Sequence, residues 1–258
     1  LVKFQNRQLQ SGCEKTFLYA FVLLRQHPKI TDSLWVFFRR NVKMKKDYKK
    51  ITTIGMLCAA AYIAVVLCRI PVVLFLSYEP KDVIITIAGF IFGPLTSFVI
   101  SVIVSFIEMI TISSTGPWGF FMNMLSSCAF SCTAAYIYKK KRTLFGAAVG
   151  LLSGTAVMCA LMIIWNYLIT PIYMNVPREQ IVSLLVPAFL PFNLLKGFLN
   201  TALTLIVYKP LVKALRGAGL IPERAEASRR SSYLGITLIS LLIIATCVFF
   251  ILILQGKI

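Results

Sequence analysis

Residues 190–200 read LPFNLLKGFLN, and this polar insert lies in an apolar stretch running from Ser183 to Tyr208. A stretch that long and apolar reads as a membrane helix. A lysine near the middle of such a helix costs about 2.5–3.5 kcal/mol on insertion scales. Asn193 and Asn200 stand at i−3 and i+4 from Lys196, so the three share one helix face. Pro187 and Pro191 precede them and are expected to kink or delay the helix, freeing carbonyls that need partners. A kinked helix with one polar face lines a cavity. The plainer reading is a structural lysine paired with a carboxylate such as Glu108. The cavity reading is preferred, because intramembrane ionisable residues mark function by default.

The rest of the chain fits a membrane protein. Of its 258 residues 58% are hydrophobic and 14% charged, and the mean hydropathy is +0.81. A soluble domain carries about a quarter charged residues. The pattern predicts helices near 51–70, 83–93, 95–113, 118–138, 144–170, 183–208 and 233–254. The second is short and ends at FGP (Phe92, Gly93, Pro94), which suggests a tilted or tightly packed helix. Residues 44–210 read as one six-helix membrane domain, 211–232 as a basic cytoplasmic linker, and 233–258 as an extra C-terminal membrane helix. Residues 1–43 read as an N-terminal extension, disordered or not native, ahead of a natural start at MKKDYKK (Met44–Lys50).

Charge placement sets orientation. The net charge is +18, with Lys and Arg gathered at Arg39–Lys50, Lys139–Arg142 and Lys209–Arg230. A cytoplasmic amino terminus puts all three clusters inside, in accord with the positive-inside rule. Nucleic-acid binding would need basic residues interleaved with exposed aromatics on a folded face, and that footprint is absent from the sequence.

Catalysis finds little support, and the chain is not expected to be an enzyme. Zinc, Ser/His and Cys/His chemistry need a histidine in the core, and the sole histidine, His27, precedes the predicted helices. No GxxxxGK[ST] phosphate loop occurs. The seven cysteines form no CxxC pair, and those in the apolar spans act as small hydrophobes. No metal site is expected.

Topology groups further polar residues with the Lys196 face. With the amino terminus inside, the outer helix ends fall near 71–82, 113–118 and 171–182. Asn166 lies about five residues from an outer end, roughly 7 Å at helical rise, and Asn123 lies at a similar depth. Asn193 and Lys196 enter from the same side. One asparagine alone would serve as an interhelical hydrogen-bond partner. Their convergence instead predicts a site in the outer half of the bundle, roofed by SYEPKD (Ser77–Asp82).

The motifs STGPWGFFMNMLS, NYLITPIY (Asn166–Tyr173) and PFNLLKG (Pro191–Gly197), with the acidic loop before GFIFGP, resemble the S components of energy-coupling factor (ECF) vitamin transporters. The likeness covers residues 50–210 and is nearest to the riboflavin-specific type. It implies an all-α six-helix bundle that holds one vitamin near its outer face and has no ATPase activity. Energy would come from a T component and two cytoplasmic ATPase subunits. Riboflavin, or FMN, is the implied ligand, transported and not a cofactor. By resemblance, Asn166, Asn193 and Lys196 would hydrogen-bond the ring edge, with Asn123 nearby. Trp118 and Tyr173 would supply walls, and Tyr78, Lys81 and Asp82 would close over the ligand.

Two small-residue patterns bear on contacts. Ala60 and Ala64 form an AxxxA, which in the family marks the surface facing the T component. Gly146, Gly150 and Gly154 form a GxxxGxxxG that is expected to pack inside the bundle. Rival readings are an S component for another water-soluble vitamin, of the thiamine or pantothenate class, and a self-sufficient secondary transporter. The latter needs intramembrane carboxylates for ion coupling, and only Glu108 lies deep in a predicted span.

Overall fold

In a computed structural model the described residues are 28–73, 76–112, 115–220 and 233–254. They fall in two compact units divided after Ile51. The first supplies the opening part of helix α1 (Pro28–Leu67). Residues 1–27 of the expected extension, with His27, lie outside the described residues, as do 221–232 of the expected linker. Residues 28–43 are helical in backbone.

The second unit carries the bundle. After α1 come strands β1 (Ile70–Val73) and β2 (Leu76–Tyr78). Helices α2 (Lys81–Phe92), α3 (Pro94–Thr111), α4 (Gly116–Lys140) and α5 (Leu144–Leu168) follow. Two short helices, α6 (Thr170–Met174) and α7 (Arg178–Leu184), lead into a π-helical turn at Leu185–Phe189. Then come α8 (Leu190–Gly217) and α9 (Tyr233–Leu254). Among the described residues five stretches are long and apolar enough to cross a bilayer, counting α7 through α8 as one. The chain is an all-α, multi-pass membrane protein.

Local chemistry explains the breaks. The expected short second helix is α2, with 12 residues and so about 18 Å of rise, well under a hydrocarbon core. Gly93, at φ 104°, closes it in a conformation that favours glycine, and Pro94 opens α3 at a position needing no N–H donor. Thr143 caps α5 by accepting from Gly146 N at 3.0 Å. The segment expected to be a loop at 71–82 instead contains an antiparallel hairpin, pairing Ile70 with Tyr78 and Pro71 with Ser77.

The GxxxGxxxG stripe packs internally. A Cβ on Gly150 would lie 2.8 Å from Ala134 O, and one on Gly154 would lie 2.5 Å from Phe130 O. Helices α4 and α5 therefore meet backbone to backbone. Neither carbonyl can move without disturbing its helix, so Gly154→Ala is expected to cost about 1–3 kcal/mol. Thermal unfolding in mild detergent reads this out, with Gly55→Ala, where a Cβ meets nothing within 4 Å, as the control.

Helix α9 lies beyond the six-helix pattern. Its Cys247 and Ile251 join a cluster with Val72 and Leu76 of the hairpin and with Phe192, Leu195 and Leu199 of α8. Its Leu238, Ile239, Leu242 and Phe249 are exposed, as suits a helix with lipid on one side.

Candidate functional site

The polar face of α8 opens onto a cleft at the hairpin end of the bundle. The π turn holds Pro187, and Pro191 follows in the first turn of α8. The expected disturbance is thus a wide turn, and Asn193 Nδ2 donates back to Phe189 O at its end, at 2.7 Å. Asn166 does the same on α5, donating to Met162 O at 2.7 Å and accepting from Thr170 Oγ1 at 2.9 Å.

Asn123, Asn166, Asn193 and Lys196 all line this cleft, as their depth in the sequence predicts. Its other walls include Arg69, Ser77, Glu79, Glu108, Ser126 and Phe192. The empty space, counting the part open to solvent, is about 830 Å³. Polar and charged side chains make up most of this lining, with Val65, Leu76, Ile112, Met122, Met162 and Phe192 as its apolar part, a concave mixture able to orient a polar small molecule.

The expected lid residues sit elsewhere. Lys81 and Asp82 are fully buried, and Tyr78 is 4% exposed; none of the three lines the cleft. The reason is electrostatic. Lys81 Nζ lies 2.8 Å from Glu79 Oε2 and pairs also with Glu108 Oε2, so the charge stays inside with its partners. Asp82 is in the first turn of α2, where the helix dipole favours an anion. It accepts from Ser127 Oγ and from Asn200 Nδ2 at 3.2 Å, and lies 3.3 Å from Lys196 Nζ. Tyr78 Oη donates to Asn200 Oδ1 at 2.9 Å. Burial, and after it the nearby Asp82, push the Tyr78 phenol upward, so it stays a donor.

The three polar residues of the opening stretch therefore divide. Asn193 and Lys196 face the cleft, whereas Asn200, fully buried, ties α8 to the hairpin and α2. Lys196 does have a structural carboxylate, but it is Asp82 and not Glu108. Its Nζ also donates to Ser126 Oγ at 3.2 Å. Trp118 is 41% exposed and Tyr173 is half-buried on α6, and neither lines the cleft. Ala60 and Ala64 are half-buried on α1.

Sequence reasoning gave Arg69 no site role, placed Glu79 only within the roofing loop, and considered Glu108 as a counter-ion or an ion-coupling carboxylate, not as a cleft wall. Arg69 Nε lies 3.4 Å from Glu79 Oε1 at the mouth, and Asn123 Nδ2 donates to Glu108 Oε2 at 3.2 Å. Arg69, Lys81 and Lys196 balance Glu79, Asp82 and Glu108, three charges against three. The signal available in the sequence was that three of its nine acidic residues stand at the ends or inside of apolar spans.

Fold and site together define a multi-pass membrane protein with a small-molecule cleft among its described residues. The chain belongs to the family described as "ECF transporter, substrate-specific component", which matches residues 49–208. It is 31% identical over 185 residues to the riboflavin transporter FmnP of Bacillus subtilis (strain 168), covering 66% of this chain and 97% of that one. To the riboflavin transporter RibU of Staphylococcus aureus (strain TCH60) it is 28% identical over 187 residues, covering 69% and 97%. A solved structure described as the S component of a bacterial ECF transporter superposes with a TM-score of 0.56 at 28% identity, covering 66% of this chain and 99% of that one.

Proposed function

We propose that this S component captures riboflavin from outside the cell and delivers it to an ECF module of one T component and two ATPases. The observation that carries the reading is the meeting of Asn123, Asn166, Asn193 and Lys196 in one cleft beside a charge-balanced cluster. Asparagine amides both donate and accept, so they suit the uracil-like edge of the flavin ring. Balanced charge suits an uncharged ligand; thiamine and pantothenate carry net charges that would unbalance it. Both named relatives are riboflavin transporters. FMN presents the same ring edge and is the second ligand to try, although its phosphate charge is disfavoured on the same ground.

The basic clusters support an orientation with the amino terminus in the cytoplasm and the cleft outside. The AxxxA surface of α1 is proposed to meet the T component. Tyr48–Leu67 is the least buried of the candidate spans, at 28%, which supports a partner on that side. Tyr78 and Asp82 are assigned supporting positions that act through Asn200 and Lys196, Lys81 one that acts through Glu79 and Glu108, and Trp118 and Tyr173 positions outside the cleft lining.

The test is the absorbance of protein purified in mild detergent, followed by titration with riboflavin while its fluorescence is read. Tight stoichiometric quenching is expected; a colourless protein that ignores riboflavin overturns the reading. Asn193→Ala is expected to weaken binding about tenfold or more, the usual scale for a lost ligand hydrogen bond left unreplaced. Its unfolding temperature should fall only slightly.

A further inference from the structure

One residue lining the cleft carries a buried carboxylate oxygen with no partner among the described residues. Glu108 is 3% exposed, near the hairpin end of α3. Its Oε2 accepts from Lys81 Nζ and Asn123 Nδ2, while its Oε1 is buried and receives no hydrogen bond from any described residue. The neighbouring carboxylates are occupied. Glu79 also borders the cleft, but Arg69 holds its Oε1 and Lys81 its Oε2. Asp82 lies behind the lining, with Ser127 on Oδ1 and Asn200 and Lys196 on Oδ2.

A buried charged acceptor left without a donor is costly, and native interiors keep few of them. Oε1 therefore calls for a donor arriving from the cleft. The flavin ring edge offers a carbonyl, an imide N–H and a second carbonyl in a row. The matching protein surface is one acceptor flanked by donors. Glu108 lines the cleft and its unpartnered Oε1 is such an acceptor, while Asn123, Asn193 and Lys196, whose amides and ammonium are donors, line the same cleft. A ribityl hydroxyl could satisfy an amide or a serine as well. The imide N–H only donates, so it gains most from an acceptor that only accepts.

We propose that Glu108 is the specificity-determining residue of this cleft, its Oε1 accepting the imide N–H of the ligand ring. Lys81 and Asn123 both hold the carboxyl group through its other oxygen, Oε2, and so fix its plane. The inference rests on the riboflavin reading, but it fails separately from it. A ring methylated at the imide nitrogen keeps both carbonyls and loses the donor, and it pushes a methyl group against a desolvated carboxylate.

The experiment titrates riboflavin and N3-methylriboflavin against the wild-type protein and Glu108→Gln in mild detergent. Wild type should bind the methylated ring about ten- to hundredfold more weakly, the scale of a hydrogen bond to a charged acceptor. In Glu108→Gln that ratio should collapse to about twofold or less, because Lys81 and Asn123, both donors, hold the amide oxygen at the Oε2 position and turn the NH2 group towards the ligand, where it cannot accept the imide N–H. Equal binding of both flavins by wild type overturns the proposal without any variant, even if Glu108→Gln does not fold. An unchanged ratio in a folded Glu108→Gln also overturns it. Failure of wild type to bind either flavin would instead remove the riboflavin reading on which the proposal stands.

Discussion

Lys81→Met is expected to be the most damaging single substitution in this protein, lowering stability by about 3–5 kcal/mol, as when one partner of a buried ion pair is removed. Lys81 is fully buried, with its ammonium on Glu79 and Glu108 at once. Methionine keeps the length and the apolar stem but leaves two carboxylates facing each other across a desolvated space. Arg69, at 3.4 Å from Glu79 and 38% exposed, relieves only one of them. Thermal unfolding in detergent measures the loss. The companion variant Lys81→Met/Glu108→Gln should recover much of it, because one buried charge leaves with its partner. If the single substitution is tolerated within about 1 kcal/mol, the range of surface pairs, then Lys81 is not the internal counter-ion that its geometry indicates.

The second large effect is on Lys196, where the sequence and the structure lead to different expectations. From the sequence, Lys196→Ala should weaken ligand binding and leave the bundle folded. The structure adds a stability cost, since Asp82 loses its cation at 3.3 Å. That cost should be smaller than for Lys81, because Asp82 keeps hydrogen bonds from Ser127 and Asn200. Riboflavin affinity is expected to fall about tenfold or more, with a modest drop in unfolding temperature. Lys196→Ala/Asp82→Asn separates the two roles. It should regain stability, since the stranded carboxylate becomes an amide, and it should not regain affinity. Recovery of both would make the lysine purely structural.

Much of this was legible in the linear sequence because lipid imposes simple rules. Length and hydropathy locate α3, α4 and α5 to within a few residues, whereas α8 starts later and runs to Gly217, beyond the expected end at 208. Helical periodicity puts Asn193 and Lys196 on one face, and depth below the helix ends brings Asn123 and Asn166 to the same cleft. The glycine stripe of α5 read correctly as internal packing, since three glycines at a spacing of four have one compelling use. The hairpin was hidden, because strands of four and three residues containing Pro71 look like any short connection between helices. The fate of SYEPKD was hidden for a different reason. Charged residues near a helix end read as solvent-facing, and only tertiary geometry shows Glu79 and Glu108 meeting Lys81 inside. Glu108 and Lys81 stand 27 positions apart, and nothing local to either predicts the pairing.

The wide turn at Leu185–Phe189 has a consequence for how this chain tolerates change in length. A π turn accommodates one residue more than an α turn does, so it acts as a phase shifter between α7 and α8. Everything before it is locked to the bundle through Ile181, and everything after it presents Asn193, Lys196 and Asn200 to their partners. Loss of one residue from the turn would restore α geometry but swing one flank by about 100°. Either Ile181 would leave its cluster, or the amide and the ammonium would point at lipid. Point substitutions across Leu185–Phe189 should therefore be absorbed far better than any single deletion there, and the segment behaves as a spacer whose count matters more than its spelling.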